Sequence, residues 1–273
     1  MNYGLVTGAN RGLGLALLPQ LLLKDPELHL FMGTRDLECG RIAVQTLPAE
    51  LQNRVTPIEL DVTAQSSLTT ASQTITSIID ERVSTTPTLS LLINNAGVLG
   101  ESESAEVTLD VNVHGAIATT TTFLPLLSPT CTIIFTSSSC GTRFLGGLPP
   151  ATRAKLLAPT LTTDSLLQLL PTLPQSDIYS LSKLAINIFS LILSRSNPSK
   201  FIKAVSPGFT NTEMCRNYTG PRVPKSPTLG ATVFVAALHG VGSNKTAVFV
   251  KQNDKAGIDP EQATSVLTEF ETE

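Results

Sequence analysis

Tyr179 and Lys183 stand four residues apart in Tyr-Ser-Leu-Ser-Lys. On a helix, positions at this spacing share a face, so a phenol and an ammonium can meet one ligand. A phenol in water holds its proton until about pH 10. A neighbouring ammonium stabilises the phenolate, which predicts a lowered pKa for Tyr179. Such a tyrosine can give a proton to a carbonyl oxygen as it becomes an alcohol, or take one in reverse. Taken alone the pair is ordinary, because exposed helices often carry a Tyr and a Lys four apart.

A second group of residues makes the pair more telling. Thr7-Gly8-Ala9-Asn10-Arg11-Gly12-Leu13-Gly14 lies between a short apolar run and an apolar stretch of helical length. Glycines let the backbone turn tightly and approach a pyrophosphate. A helix N-terminus then offers free N–H groups and a positive dipole end. The spacing is G-x-x-x-G-x-G, and Gly8, Asn10, Arg11, Gly12, Leu13 and Gly14 are the candidate dinucleotide contacts. Arg35 follows the next apolar run, where a dinucleotide fold meets the adenosine ribose. An acid there accepts from a 2′-hydroxyl, whereas an arginine accommodates a 2′-phosphate. Arg11 and Arg35 therefore favour NADP(H) over NAD(H), while Asp36, one position on, keeps the acid alternative open.

Elements able to position these groups can be read from periodicity. Short apolar runs at 3–7, 28–33, 55–60, 89–93, 131–136, 201–205 and 247–250 read as buried strands. Helical stretches at 12–23, 37–47, 64–81, 107–127, 178–193 and 228–239 separate them. Continuous apolar strands alternating with helices indicate a parallel sheet covered on both faces. The fold class is α/β: one doubly wound domain over 1–273, a Rossmann sheet of about seven strands with helices on both faces. The alternation breaks at about 140–176, which is rich in Gly and Pro. A structureless loop of that length would be unusual, so it reads as a helical insertion before the Tyr-Lys helix. Within it, Thr162-Thr163-Asp164 caps a short helix. A polar loop follows the sixth strand at about 208–227, and the tail at 259–273 reads as a loose helix.

Three further motifs follow strand ends and a fourth lies on the helix after the fourth strand. They are Asn94-Asn95-Ala96-Gly97 after the fourth strand, Asn112 in Asp110-Val111-Asn112-Val113-His114-Gly115, Ser137-Ser138-Ser139 after the fifth strand, and Pro207-Gly208-Phe209-Thr210-Asn211-Thr212 after the sixth. In this order, with the glycine loop and the Tyr-Lys pair, the chain resembles the short-chain dehydrogenase/reductase family to about residue 250. The loop sequence, the Arg35-Asp36 pair and the long insertion resemble its carbonyl-reductase type. The resemblance implies an NADP(H)-dependent enzyme interconverting a small-molecule carbonyl (ketone, aldehyde or quinone) and an alcohol. It implies Tyr179 as general acid/base and Lys183 as the group that binds the nicotinamide ribose and lowers the tyrosine pKa. Ser138 would hydrogen-bond the substrate oxygen, with Ser137 and Ser139 as alternatives, and Asn112 would hold a water in a proton relay. Asp61 and Val62 would contact adenine. Asn94, Ala96, Gly97, Pro207, Gly208, Thr210 and Thr212 would line the rest of the cofactor site. An insertion of this kind implies a monomer, with a dimer as the alternative. Phe144, Leu145, Phe209, Met214 and Tyr218 are candidates for an apolar substrate wall, or for packing within their own segments.

Composition narrows the remaining classes. A net charge of −3 gives no electrostatic footprint for nucleic acid. No apolar stretch reaches the length of a membrane span and the N-terminus has no basic signal region, so a cytoplasmic protein is expected. Four cysteines without C-x-x-C spacing, and three scattered histidines, suggest no metal site. Two other classes would keep the cofactor fold: a sensor without turnover, and an enzyme of non-redox chemistry.

Overall fold

The computed structural model describes residues 2–82, 88–100, 103–239, 248–251 and 265–267. Its sheet has the order β3-β2-β1-β4-β5-β6-β7-β8. The strands are β1 Asn2–Val6, β2 Leu28–Thr34, β3 Val55–Glu59, β4 Leu89–Asn94, β5 Leu127–Thr136, β6 Phe201–Ser206, β7 Val248–Lys251 and β8 Ser265–Leu267. The first seven pair in parallel, and only β8 runs antiparallel, on β7. The chain winds outward from β1 to β3, then returns to β4 on the other side of β1. The loops after β1 and β4 therefore diverge and leave a crevice at the C-terminal ends of the strands, where such sheets bind ligands.

The helices are α1 Gly12–Lys24, α2 Leu37–Gln45, α3 Ala49–Gln52, α4 Gln65–Arg82, α5 Ala105–Leu109, α6 Gly115–Phe123, α7 Ser139–Gly147, α8 Pro150–Leu157, α9 Thr163–Leu169, α10 Ile178–Ser196 and α11 Pro227–His239. Side-chain alternation along the strands feeds two cores. Leu5, Phe31, Leu92, Ile133 and Phe135 face α4, α6 and α10. Val6, Leu30, Met32, Ile93, Ile134 and Val205 face α1 and α11. Among the described residues, no helix is long and apolar enough to cross a membrane.

The expected helix over 107–127 is broken twice. A π-helical turn, Asp110–His114, interrupts it around Asn112, and a 3-10 turn, Leu124–Leu126, ends it. Pro125 lies in that last turn and lacks the N–H that an α-helix needs, and β5 begins at Leu127, earlier than the apolar run suggested. The tail differs more. Ser265–Leu267 is a strand, not a helix, because the edge of β7 offers unpaired backbone groups to pair with. The rest of the tail, and Ala247 of the expected last strand, lie outside the described residues.

The insertion forms α7, α8 and α9, and Thr162 caps α9 by accepting from Ser165 N–H. Leu145, Leu148, Leu156, Leu166, Leu170 and Leu173 are buried in the core on the α10 side of the sheet. Each contributes about 1.5–3 kcal/mol on burial, enough to make the insertion a fixed wall. Between the sheet and this wall, α10 buries every residue from Ser180 to Ser190. Its polar residues Ser182, Lys183 and Asn187 must therefore find partners inside the protein.

Candidate active site

The glycine loop joins β1 to α1. Gly8 and Gly12 take φ of +60° and +56°, a region that glycine enters without strain. At Gly14 a Cβ would lie 2.6 Å from Asn95 Nδ2 and 2.7 Å from the Gly8 carbonyl oxygen. Gly14→Ala is therefore expected to overpack the turn at a cost of about 1–3 kcal/mol. A lowered unfolding midpoint together with weakened dinucleotide binding in a fluorescence titration would show this, and unchanged values would contradict it. The helix behind the loop is open to an anion. Its N-cap, Arg11, makes no side-chain capping bond, and the first turn holds no acid. By contrast α2, α5, α7, α9 and α10 are capped by Asp36, Ser104, Ser138, Thr162 and Asp177. Uncapped N–H groups behind a glycine turn are the donor set a pyrophosphate needs.

The loop is held from β4, through a residue the sequence reading passed over. Asn95 Nδ2 donates to the carbonyls of Thr7 and Gly8, at 2.9 and 3.0 Å, and the Thr7 hydroxyl accepts from the N–H groups of Asn95 and Ala96. Asn94 faces the other way. It is buried, and its amide donates to Thr120 in α6 at 3.0 Å. Ala96 lies against Gly8, and Thr212 approaches Gly12 from the β6–α11 connection. Asn10 and Leu13 are half-buried in the same turn.

Farther along the sheet edge, Arg35 is exposed just beyond β2, and Arg11 is exposed in the loop. Asp36 is committed elsewhere. Its carboxylate accepts from Cys39 N–H at 2.9 Å as the N-cap of α2, and that bond holds its pKa below the ordinary value. Asp61, just past β3, accepts from both the N–H and the hydroxyl of Thr63, and Val62 is buried against Gly115.

The Tyr-Lys pair opens α10. Lys183 is buried, its Nζ donates to the Thr136 carbonyl at 2.8 Å, and it lies 5.5 Å from the centroid of the Tyr179 ring. Burial pushes the ammonium pKa down to about 8. Tyr179 runs against expectation. Burial is the largest influence on its phenol and pushes the pKa up, the nearby Cys140 adds to this, and a hydrogen bond with Ser138 opposes it. Desolvation of the phenolate outweighs what the neighbouring lysine was expected to do.

The three serines separate cleanly. Ser137 is buried and donates to Asn187 Oδ1 at 2.6 Å. Ser139 lies 3.3 Å from the Ser206 hydroxyl, and its N–H donates to the same oxygen. Ser138 is partly exposed, accepts from Cys140 N–H at 3.2 Å as the cap of α7, and is the serine that acts on the Tyr179 phenol, opposing the upward push of burial. The Asn112 side chain is committed internally. It exchanges bonds with Val98, accepting at 2.8 Å and donating at 2.9 Å, and donates to Ser182 at 3.0 Å. Gly97 fits between Asn112 and Lys183, where a Cβ would sit 3.1 Å from the amide oxygen and 3.7 Å from Nζ. Ser138, Tyr179, Lys183, Asn112 and Gly97 thus meet at the C-terminal ends of β4 and β5, beside the glycine loop.

The connection from β6 to α11 leaves through Pro207 and Gly208, with Gly208 at φ +74°. It closes at its base through bonds between Asn211 and Lys225, and between Lys225 and Phe209. Phe209 meets Tyr218 edge to face, with ring centroids 4.6 Å apart, and Arg222 lies over Phe209 at 5.2 Å, so these rings pack within their own loop. The Thr210 hydroxyl turns inward, donating to the Gly208 carbonyl at 3.2 Å.

Comparison with known proteins shows the family. The sequence profile of the short chain dehydrogenase family matches residues 3–163. Human carbonyl reductase (NADPH) 1 is 28% identical, over 87% of this chain and 91% of its own. Short-chain dehydrogenase anuI of Penicillium roqueforti is 30% identical, over 85% of this chain and 86% of its own. Among solved structures, salutaridine reductase from Papaver somniferum superposes with a TM-score of 0.74 at 23% identity, covering 91% of this chain and 99% of that one. NADPH-bound carbonyl reductase from chicken fatty liver gives 0.67 at 22% identity, covering 91% and 95%. At these identities the structures speak to the fold.

Proposed function

The chain belongs to the short-chain dehydrogenase family, and from that premise we propose that it reduces a small-molecule ketone, aldehyde or quinone with NADPH, Tyr179 giving the proton. The observation that carries this is the buried Lys183 ammonium, held by the Thr136 carbonyl and 5.5 Å from the centroid of the Tyr179 ring, at the mouth of the glycine loop. NADPH, when bound, supplies the hydride. The turn from Gly8 to Gly14 and the open end of α1 hold its pyrophosphate, with Asn10 and Leu13 in the same turn, while Arg11 and Arg35 take the 2′-phosphate. Asp61, Val62, Asn94, Ala96 and Gly97 border the adenine and central part. Pro207, Gly208, Thr210 and Thr212 close the nicotinamide end. The names of the carbonyl reductases, which specify NADPH, support the cofactor choice.

Ser138 donates to the substrate carbonyl oxygen and holds it beside the phenol. The Tyr179 proton passes to that oxygen as the carbon accepts hydride, and an alcohol leaves. Lys183 holds the nicotinamide ribose and stabilises the phenolate left behind. Asn112, fixed between Val98 and Ser182, keeps the turn beside Lys183 in place, where a water can return the proton. The loop at 208–227 and the insertion form the walls of the substrate cleft. The insertion, packed over α10, also supports a monomer.

The test is NADPH oxidation across a panel of ketones, aldehydes and quinones. Tight NADPH binding without turnover would point to a sensor, and product without net NADPH consumption to non-redox chemistry. The pH dependence adds a second check. Lys183 is an ammonium only below about pH 8, and kcat/KM reports on the free enzyme. For NADPH, kcat/KM is expected to hold through neutrality and fall as the pH rises through about 8. A profile flat to pH 10 would contradict a working role for the ammonium.

A further inference from the structure

Tyr179, Lys183 and Asn187 recur at intervals of four along α10 and so share one face. Two consecutive positions at the end of β5 meet two consecutive turns of that face. The Thr136 carbonyl accepts from Lys183 Nζ at 2.8 Å, and the Ser137 hydroxyl donates to Asn187 Oδ1 at 2.6 Å. The same hydroxyl lies 3.4 Å from the Lys183 carbonyl. Ser137 is itself fixed to the sheet, because its N–H donates to Val205 in β6 at 2.7 Å. The next residue is Ser138, the serine that acts on the Tyr179 phenol. We propose that Asn187 is a positioning residue, which through Ser137 sets the depth and rotation of α10 on β5 and so the reach of Lys183 and Tyr179 toward Ser138.

A buried amide is a costly way to fill this place. Asn187 is 1% exposed, and its Nδ2 finds no partner among the described residues. A buried donor left unpaired lowers stability. A leucine has the same branched outline, with bulkier methyl groups, and leaves no buried donor unpaired. The amide adds one thing a leucine cannot, the short bond to Ser137. Misplacing reacting groups by about 1 Å can cost rate by orders of magnitude, so a bond that fixes helix register acts on turnover more than on folding.

The inference rests on Tyr179 and Lys183 being the reacting pair, and the experiment separates the two. Asn187→Leu, Ser137→Ala, their double variant and Tyr179→Phe are compared with the wild type for unfolding midpoint, NADPH Kd, kcat and the pH profile of kcat. Asn187→Leu is expected to keep Kd, lower kcat by about 10–100-fold and displace the alkaline limb of the profile. Ser137→Ala should lower kcat similarly, and the double variant no further than either single change. Unchanged kcat and pH profile in both single variants, or losses that multiply, would overturn the proposal. Should Asn187→Leu fail to fold, Ser137→Ala, which removes one oxygen, decides it alone. A Tyr179→Phe variant that keeps full turnover would remove the reacting pair, and the positioning role with it. Loss in Tyr179→Phe beside unchanged single variants would overturn the positioning role alone.

Discussion

Tyr179→Phe is expected to lower kcat for carbonyl reduction by about 10²–10⁴-fold, the range that a positioned general acid supplies, while the Kd for NADPH stays unchanged. The substitution removes one oxygen and leaves the ring packed near Lys183 Nζ, 5.5 Å from its centroid. Burial pushes the phenol pKa up, so at neutral pH the hydroxyl holds its proton and is ready to donate. Lys183 is turned to the Thr136 carbonyl, and Ser138 can donate a hydrogen bond but holds its proton far more tightly than a phenol does. Initial rates of NADPH oxidation at saturating substrate, with a binding titration alongside, make the comparison. A Phe variant within tenfold of the wild type would contradict the assignment of Tyr179 as proton donor.

Arg35→Ala is expected to weaken NADPH binding by about 10–100-fold, as loss of a charge-assisted hydrogen bond of about 1.5–3 kcal/mol implies, and to leave NADH nearly unaffected. Arg35 is exposed at the end of β2, where the ribose of a dinucleotide lies. The competing acid is already engaged, since Asp36 caps α2 by accepting from Cys39 N–H. Asp36→Ala should therefore lower the unfolding midpoint through the lost cap and leave NADH affinity as it was. Titrations of both variants with both cofactors decide the matter. Equal weakening of NADPH and NADH by Arg35→Ala would refute the 2′-phosphate contact, and loss of NADH binding in Asp36→Ala would restore the acid as a ribose ligand.

Much of this is legible from local pattern. Continuous apolar strands, the glycine spacing and the Thr162 cap are properties of a few adjacent residues, and the structure follows them closely apart from the early start of β5. The rest depends on partners far away in the chain. Three consecutive serines look alike in sequence, and what separates them is Asn187 for Ser137, Ser206 for Ser139 and the N-terminus of α7 for Ser138. Asn94 and Asn95 are the same residue type. At the end of a strand successive side chains point to opposite faces, so only the orientation of β4 shows that Asn95 braces the glycine loop while Asn94 turns to α6. The direction of the Tyr179 shift differs from the sequence expectation for a related reason. The i, i+4 lysine is visible in the sequence, whereas the desolvation that outweighs it belongs to the packed fold.

The most direct test of the central claim follows the hydride itself. The wild-type protein is incubated with NADPH deuterated at the transferring carbon and with the carbonyl substrate most active in the panel. The predicted result is one deuterium on the new carbinol carbon for each NADPH oxidised. In the Tyr179→Phe variant this transfer should be slowed by the same factor as kcat. NADPH that binds tightly yet transfers no label to any carbonyl would contradict the assignment as a reductase.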